Sequence, residues 1–219
     1  MTDTLPLPPE WRVATSPVPY PEALAEMERR VAAIEAGTAP ELFWLLEHPP
    51  TYTAGTSASA DELLNAGDIP VFETGRGGRY TYHGPGQRVI YVLCDLRQRD
   101  KDLRAHVARL EEWVIRTLSE FGIAGERREG RIGIWVNGQG SASVPQSAEK
   151  KIAAIGVRVR RWIAYHGLAL NVNPNLAHFN GIVPCGIAEY GVTSMHALGV
   201  KATMGEVDAA FRKTMADIF

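Results

Sequence analysis

The chain has 219 residues, 45% of them apolar and 22% charged, with a formal net charge of −2. That length supports one domain, residues 1–219, with a substantial core, and the near-neutral balance excludes a generally basic surface built for nucleic acid. Two cysteines, Cys94 and Cys185, are too few for a disulfide framework and fit a reduced, cytoplasmic protein.

The proline-rich opening "MTDTLPLPPEWRVATSPVPYPEAL" lacks the basic flank and apolar run of a secretion signal. No stretch approaches the roughly 18 consecutive apolar residues of a membrane span. A first helix follows Pro21, with Leu24, Met27, Val31 and Ile34 on one stripe and Gly37 as its stop. A strand is expected over "ELFWLLEH" from Glu41. The stretch "ETGRGGRYTYHGPGQ", Glu73 to Gln87, is dense in glycine, which lets backbone approach a ligand and aim N–H groups at it. It reads as a binding loop or as a tight hairpin with conformational glycines. Within it His83 can hydrogen-bond a substrate or shape the turn, and Arg76 can fix a carboxylate or a backbone carbonyl.

The strand "QRVIYVLCDL" follows from Gln87 and surrounds Cys94 with apolar residues, so that thiol reads as a small core hydrophobe. A second helix carries Leu103, Val107, Leu110, Val114 and Leu118 and stops at Gly122. "RIGIWV" from Arg131 is a strand, and "NGQGSASVPQSAEK", 137–150, is a polar connection or a lid. "KIAAIGVRVRR" from Lys151 and "YHGLALNVN" from Tyr165 are further strands. The last helix opens on Thr203 and Glu206 in capping-box register and buries Val207, Phe211 and Met215. Strands in succession with helices before, between and after them argue for an α+β fold, helices on a mainly antiparallel or mixed sheet.

Cys185 sits between Pro184 and Gly186, so its thiol is presented from a turn, as a nucleophile or as a structural free cysteine. A thiol is mostly protonated at neutral pH unless a nearby cation holds it as thiolate. The candidate cations are His83, His166 and a lysine. The strand period puts Lys151 on a face with Ala153, Ile155, Val157 and Val159 and turns Lys150 away. An amine on that apolar face can trade a proton with a thiol; the bland alternative is a strand-end lysine with its amine in water.

Together, "GRGGRYTYHGPGQ", "KKIAAIGVRVRRWIAYHGLALNVN" and "FNGIVPCGIAEYGVTS" closely resemble the lipoyl(octanoyl) transferase family, the octanoyl-acyl carrier protein:protein octanoyltransferases, from about Glu41 to Leu198. The resemblance implies the fold of lipoate and biotin protein ligases, with a larger mixed sheet, a smaller sheet and flanking helices. It implies an acyltransferase in which Cys185 is the acyl-thioester nucleophile and Lys151 the residue that lowers its pKa. The family's substrate contacts fall on Arg76, Gly77, Gly78, Arg79, Tyr80, Thr81, Tyr82 and His83, on Ala154, Ile155 and Gly156, and on Gly167, Leu168 and Ala169. No metal or other cofactor is implied. The implied partners are octanoylated acyl carrier protein and the lipoyl domains of 2-oxoacid dehydrogenase complexes and of the glycine cleavage H protein, with no nucleic acid and no membrane. An acidic carrier would need a local positive surface, for which Arg127, Arg128, Arg131, Arg158, Arg160 and Arg161 are one candidate, with a solvated charged face as the plain alternative. Oxyanion donors are expected around Gly186 or in the glycine-rich loop. The loop "GSASVPQSAEK" is longer than the family's usual. The rival functions are an ATP-dependent lipoate or biotin protein ligase and a non-catalytic module that binds acyl carriers or lipoyl domains.

Overall fold

A computed structural model describes residues 8–99, 101–137, 149–183 and 191–219. In chain order the elements are β1 (Glu10–Val13), α1 (Tyr20–Glu35), β2 (Leu42–Leu46), β3 (Thr51–Ala54), β4 (Val71–Glu73), β5 (Tyr80–His83), β6 (Gln87–Asp95), α2 (Leu103–Ser119), β7 (Glu126–Arg128), β8 (Arg131–Val136), β9 (Lys150–Arg160), β10 (Ile163–Asn171), β11 (Gly191–Val192) and α3 (Met204–Met215). Among the described residues eight strands form a main sheet in the order β1-β2-β6-β10-β9-β8-β7, with β11 added alongside β9, and three form a small sheet, β4-β3-β5. Both are mixed: β1 runs parallel to β2, β11 to β9 and β4 to β3, while the remaining pairs are antiparallel.

The strands at the centre of the main sheet, β2, β6 and β10, are buried along their whole length because both faces are covered. This is why they read as nearly continuous apolar runs. On one face α2 and α3 pack Leu110, Trp113, Val207 and Phe211 against Phe43, Ile90, Val92 and Leu168. On the other, α1 packs Met27 and Val31 against Trp44, Leu93 and Tyr165. Trp113 ties α2 to α3, its ring edge-on to Phe211 at 5.0 Å and its Nε1 donating to Phe211 O at 3.0 Å. Cys94 is fully buried in the α2/α3 core, and burial pushes its thiol pKa well above the ordinary value. No helix among the described residues is long and apolar enough to cross a membrane.

The three expected helices form where their local signals lie. Thr203 and Glu206 make the reciprocal capping box at the start of α3. Because that cap satisfies backbone donors the helix cannot, Thr203→Ala is expected to cost about 1 kcal/mol. A lower denaturant midpoint at unchanged m value would report it. Two burial expectations differ. Met215 is only half-buried, and on α2 the core positions go to His106 and Leu110, while Leu103 is exposed and Val107 half-buried. Strands β9 and β10 are joined by a two-residue turn at Arg161 and Trp162, with φ of 48° and 66°. This is the positive-φ geometry that suits a hairpin's twist, made here without glycine or asparagine.

The glycine-rich stretch is not loop throughout, since β5 occupies its middle and pairs with β3. The turn before β5 docks on the main sheet through Gly77 N, which donates to Val157 O at 2.9 Å. Gly156 makes that approach possible, because a Cβ there would meet Gly77 O at 3.2 Å and Arg76 Cδ at 3.1 Å. Opposite it on β10, Gly167 is required by the neighbouring strand, whose Ile90 O would lie 2.3 Å from a Cβ.

Candidate active site

Between the small sheet, the main sheet and the start of α2 lies a cavity of about 480 Å³. That is the size of a small-molecule site. Residues 76–81 and His83 line it from the glycine-rich stretch, 154–156 from β9 and 167–169 from β10. Tyr82 is the exception among the expected contacts. Strand alternation turns it into a separate cluster with Tyr52, Phe179 and Ile182, where its hydroxyl meets His178 Nδ1 at 2.7 Å. The cavity also takes in Tyr20, Tyr91, Leu103, Val107, Ile132 and Trp135, none of which was expected from the sequence to be a site residue. Leu103 and Val107 carried a visible signal, their place on the apolar stripe of α2, but it pointed to the core.

Arg76 is buried at 8% exposure, and its guanidinium takes the carbonyl role left open above. Nη2 donates to Thr53 O (2.8 Å), Thr53 Oγ1 (2.7 Å) and Arg79 O (3.0 Å), and Nη1 to Gly77 O (3.0 Å). These acceptors offset the cost of burying the charge and fold the glycine-rich turn around it.

The histidines weighed as cations are neutral. Burial first, then the positive charge of Arg76 and Arg158, lowers the pKa of His166 to about 3. Burial likewise brings His83 down to about 3, with His48 next in effect, and its Nδ1 bonds Gln87 Oε1 at 2.7 Å. His48 falls to about 4 for the same reason of burial. An imidazole with such a pKa supplies no charge to a thiolate at neutral pH, which corrects the expectation for His83 and His166. His166 also has φ of 62° within β10, a conformation that costs a non-glycine residue energy, and its ring stacks on Tyr165 at 5.0 Å.

Lys151 is buried at 7% exposure while Lys150 is exposed. Its Nζ donates to Ile132 O at 2.8 Å and lies 5.4 Å from the centre of the Trp135 ring. The amine is therefore on the cavity wall and not in water at the strand end. Strand β11, which follows the cysteine-bearing turn in sequence, pairs Gly191 with Lys150 and Val192 with Lys151. Cys185 and Gly186 lie outside the described residues, as does the loop 138–148.

The arginines proposed as a docking patch are largely matched by acids. Arg127 pairs with Glu111 and Glu112, Arg128 with Glu126 and Glu149, Arg131 with Glu149 at 2.7 Å, and Arg161 with Glu35 at 2.6 Å. Arg158 lies over the Tyr165 ring at 5.6 Å. Such pairing weakens the positive field around Arg127, Arg128, Arg131 and Arg161.

Residues 19–216 match the family model described as the lipoyl protein ligase A/B catalytic domain. An octanoyltransferase of Paramagnetospirillum magneticum is 61% identical over 212 residues, covering 97% of each chain. The octanoyltransferase of Caulobacter vibrioides is 57% identical over 209 residues, 95% of this chain and 91% of that one. The chain belongs to the octanoyltransferases of the lipoyl protein ligase A/B family. This octanoyltransferase is accordingly an acyltransferase that moves octanoyl groups in protein lipoylation. In fold it is similar to the bi-partite lipoate protein ligase of Thermoplasma acidophilum, with a TM-score of 0.68 at 16% identity over 94% of this chain and 82% of that one. It is also similar to the biotin protein ligase of Aquifex aeolicus, with a TM-score of 0.52 at 15% identity over 95% and 68%. At those identities the ligase likeness concerns the fold alone, and the octanoyltransferase relatives decide the activity.

Proposed function

We propose that the protein acts as one catalytic domain in the cytoplasm, with Cys185 as covalent carrier and Lys151 as its proton partner. The thiolate of Cys185 attacks the carbonyl of an octanoyl thioester on acyl carrier protein. A new carbon–sulfur bond forms, the carrier's carbon–sulfur bond breaks, and the carrier leaves as a thiol with the proton that Cys185 gave up. Exchange of one thioester for another needs no ATP. A lysine of a lipoyl domain, in a 2-oxoacid dehydrogenase complex or the glycine cleavage H protein, then attacks the acyl-enzyme. The amide forms as the bond to Cys185 breaks, and the proton shed by the incoming amine passes through Lys151 back to sulfur.

The observation that carries this reading is the buried Lys151 amine on the wall of the cavity, beside the strand that follows Cys185. Of the cations considered from the sequence, His83 and His166 are neutral, so the reading gives the thiolate to Lys151. Apolar lining from Val89, Val107, Ile155 and Leu168 suits an alkyl chain, at about 0.8 kcal/mol for each methylene buried.

Incubation with octanoylated carrier protein in the absence of ATP is expected to give a hydroxylamine-labile adduct of one octanoyl group, mapped by mass spectrometry to Cys185. An adduct on Cys94, or acyl transfer that requires ATP, would overturn the proposal and favour a ligase mechanism.

A further inference from the structure

The position of the Lys151 amine has a cause elsewhere in the chain. Gly133, on β8, has φ of +119°, which L side chains rarely adopt. A Cβ there would lie 2.4 Å from Lys151 Cε, 2.9 Å from Lys151 Nζ and 2.7 Å from Ala153 O. A flexible side chain can give way to such a contact, but the carbonyl of the paired strand cannot. The register of β8 against β9 slips between Ile134 and Trp135, and this irregularity bends β8 beside the lysine. The end of the Lys151 side chain occupies the resulting notch and bonds the carbonyl of Ile132, the residue just before the glycine. The notch is itself anchored: Gly133 N donates to Glu111 Oε1 of α2 at 3.1 Å, and the other oxygen of Glu111 lies 3.3 Å from Arg127 Nε.

We infer that Gly133 is a positioning residue of the transfer reaction, whose missing side chain, held in place by Glu111, seats the Lys151 amine on the cavity wall. This rests on the reading of Lys151 as proton partner. The seat fixes where a proton can be delivered, and displacing a reacting group by about 1 Å costs on the order of 10²-fold in rate.

The test is single-turnover kinetics of the full-length protein with octanoylated carrier protein and an isolated lipoyl domain, with circular dichroism as the check on folding. Gly133→Ala is expected to slow transfer about 10- to 100-fold while KM for the acylated carrier stays within about 2-fold. In a Lys151→Ala background the same change is expected to add no further loss, since the group it displaces is gone. Losses that multiply, or a folded Gly133→Ala protein with unchanged transfer, overturn the inference. Should Lys151→Ala alone transfer at the original rate, the reading of Lys151 fails, a result separable from failure of the seat. If Gly133→Ala does not fold, Glu111 decides. Glu111→Ala is expected to slow transfer about 5-fold and Glu111→Gln, which keeps an acceptor for Gly133 N, to restore it within about 2-fold. Equal rates for both Glu111 variants overturn the inference.

Discussion

Cys185→Ser is expected to lower octanoyl transfer by about 10³-fold or more, the scale on which removal of a covalent nucleophile acts. A serine hydroxyl is almost wholly protonated at neutral pH, and a lysine amine cannot hold it as an alkoxide as it can hold a thiolate. The acyl-enzyme would then have to form as an oxygen ester, and attack by a neutral hydroxyl is slow. If the sulfur acts only as the nucleophile, the loss is expected in kcat, with KM changed little. Cys94→Ala is the matched control. Cys94 is fully buried in the α2/α3 core, and burial keeps its thiol protonated, so it has neither access nor charge. Transfer per folded molecule is expected to be unchanged in Cys94→Ala. If Cys185→Ser transferred at a rate near that of the unaltered protein, the covalent mechanism would have to be abandoned.

The features legible in the sequence are those set within a few residues. The capping box of α3 depends on Thr203 and Glu206 alone. The difference between Lys150 and Lys151 follows from strand alternation over a short run, and it is what turns one amine inward. What could not be read is set by distant parts of the chain. Whether His83 and His166 carry charge depends on how deeply the two sheets bury them. The arginines look like a patch only until α2 brings Glu111 and Glu112 to Arg127, and Glu149 reaches Arg128 and Arg131. Tyr82 shares the glycine-rich stretch with its cavity-lining neighbours, yet the pairing of β5 with β3 sends it to the opposite face. The small-sheet strands, only three or four residues each, are too short for a period to show.

Lys151→Arg is expected to separate the two half-reactions. Both side chains are cations, but a guanidinium does not give up its proton in the pH range where the enzyme works. On the proposed mechanism acylation of Cys185 needs only a positive charge beside the sulfur, so it is expected to proceed within about 5-fold of the unaltered rate. Transfer to the lipoyl domain needs a group that accepts the proton of the attacking amine, and it is expected to fall by about 10²- to 10⁴-fold. The acyl-enzyme should therefore accumulate, visible as a burst of free carrier followed by slow appearance of octanoylated lipoyl domain. Lys151→Met, with a similar stem and no charge, is expected to slow both steps. The two variants together distinguish the roles, since charge alone is restored by arginine and proton exchange by neither. Equal rates of acylation and transfer in Lys151→Arg would remove Lys151 as the base. Normal acylation in Lys151→Met would remove it as the partner of the thiolate, and the buried amine on Ile132 O would then serve only to hold β8 and β9 together.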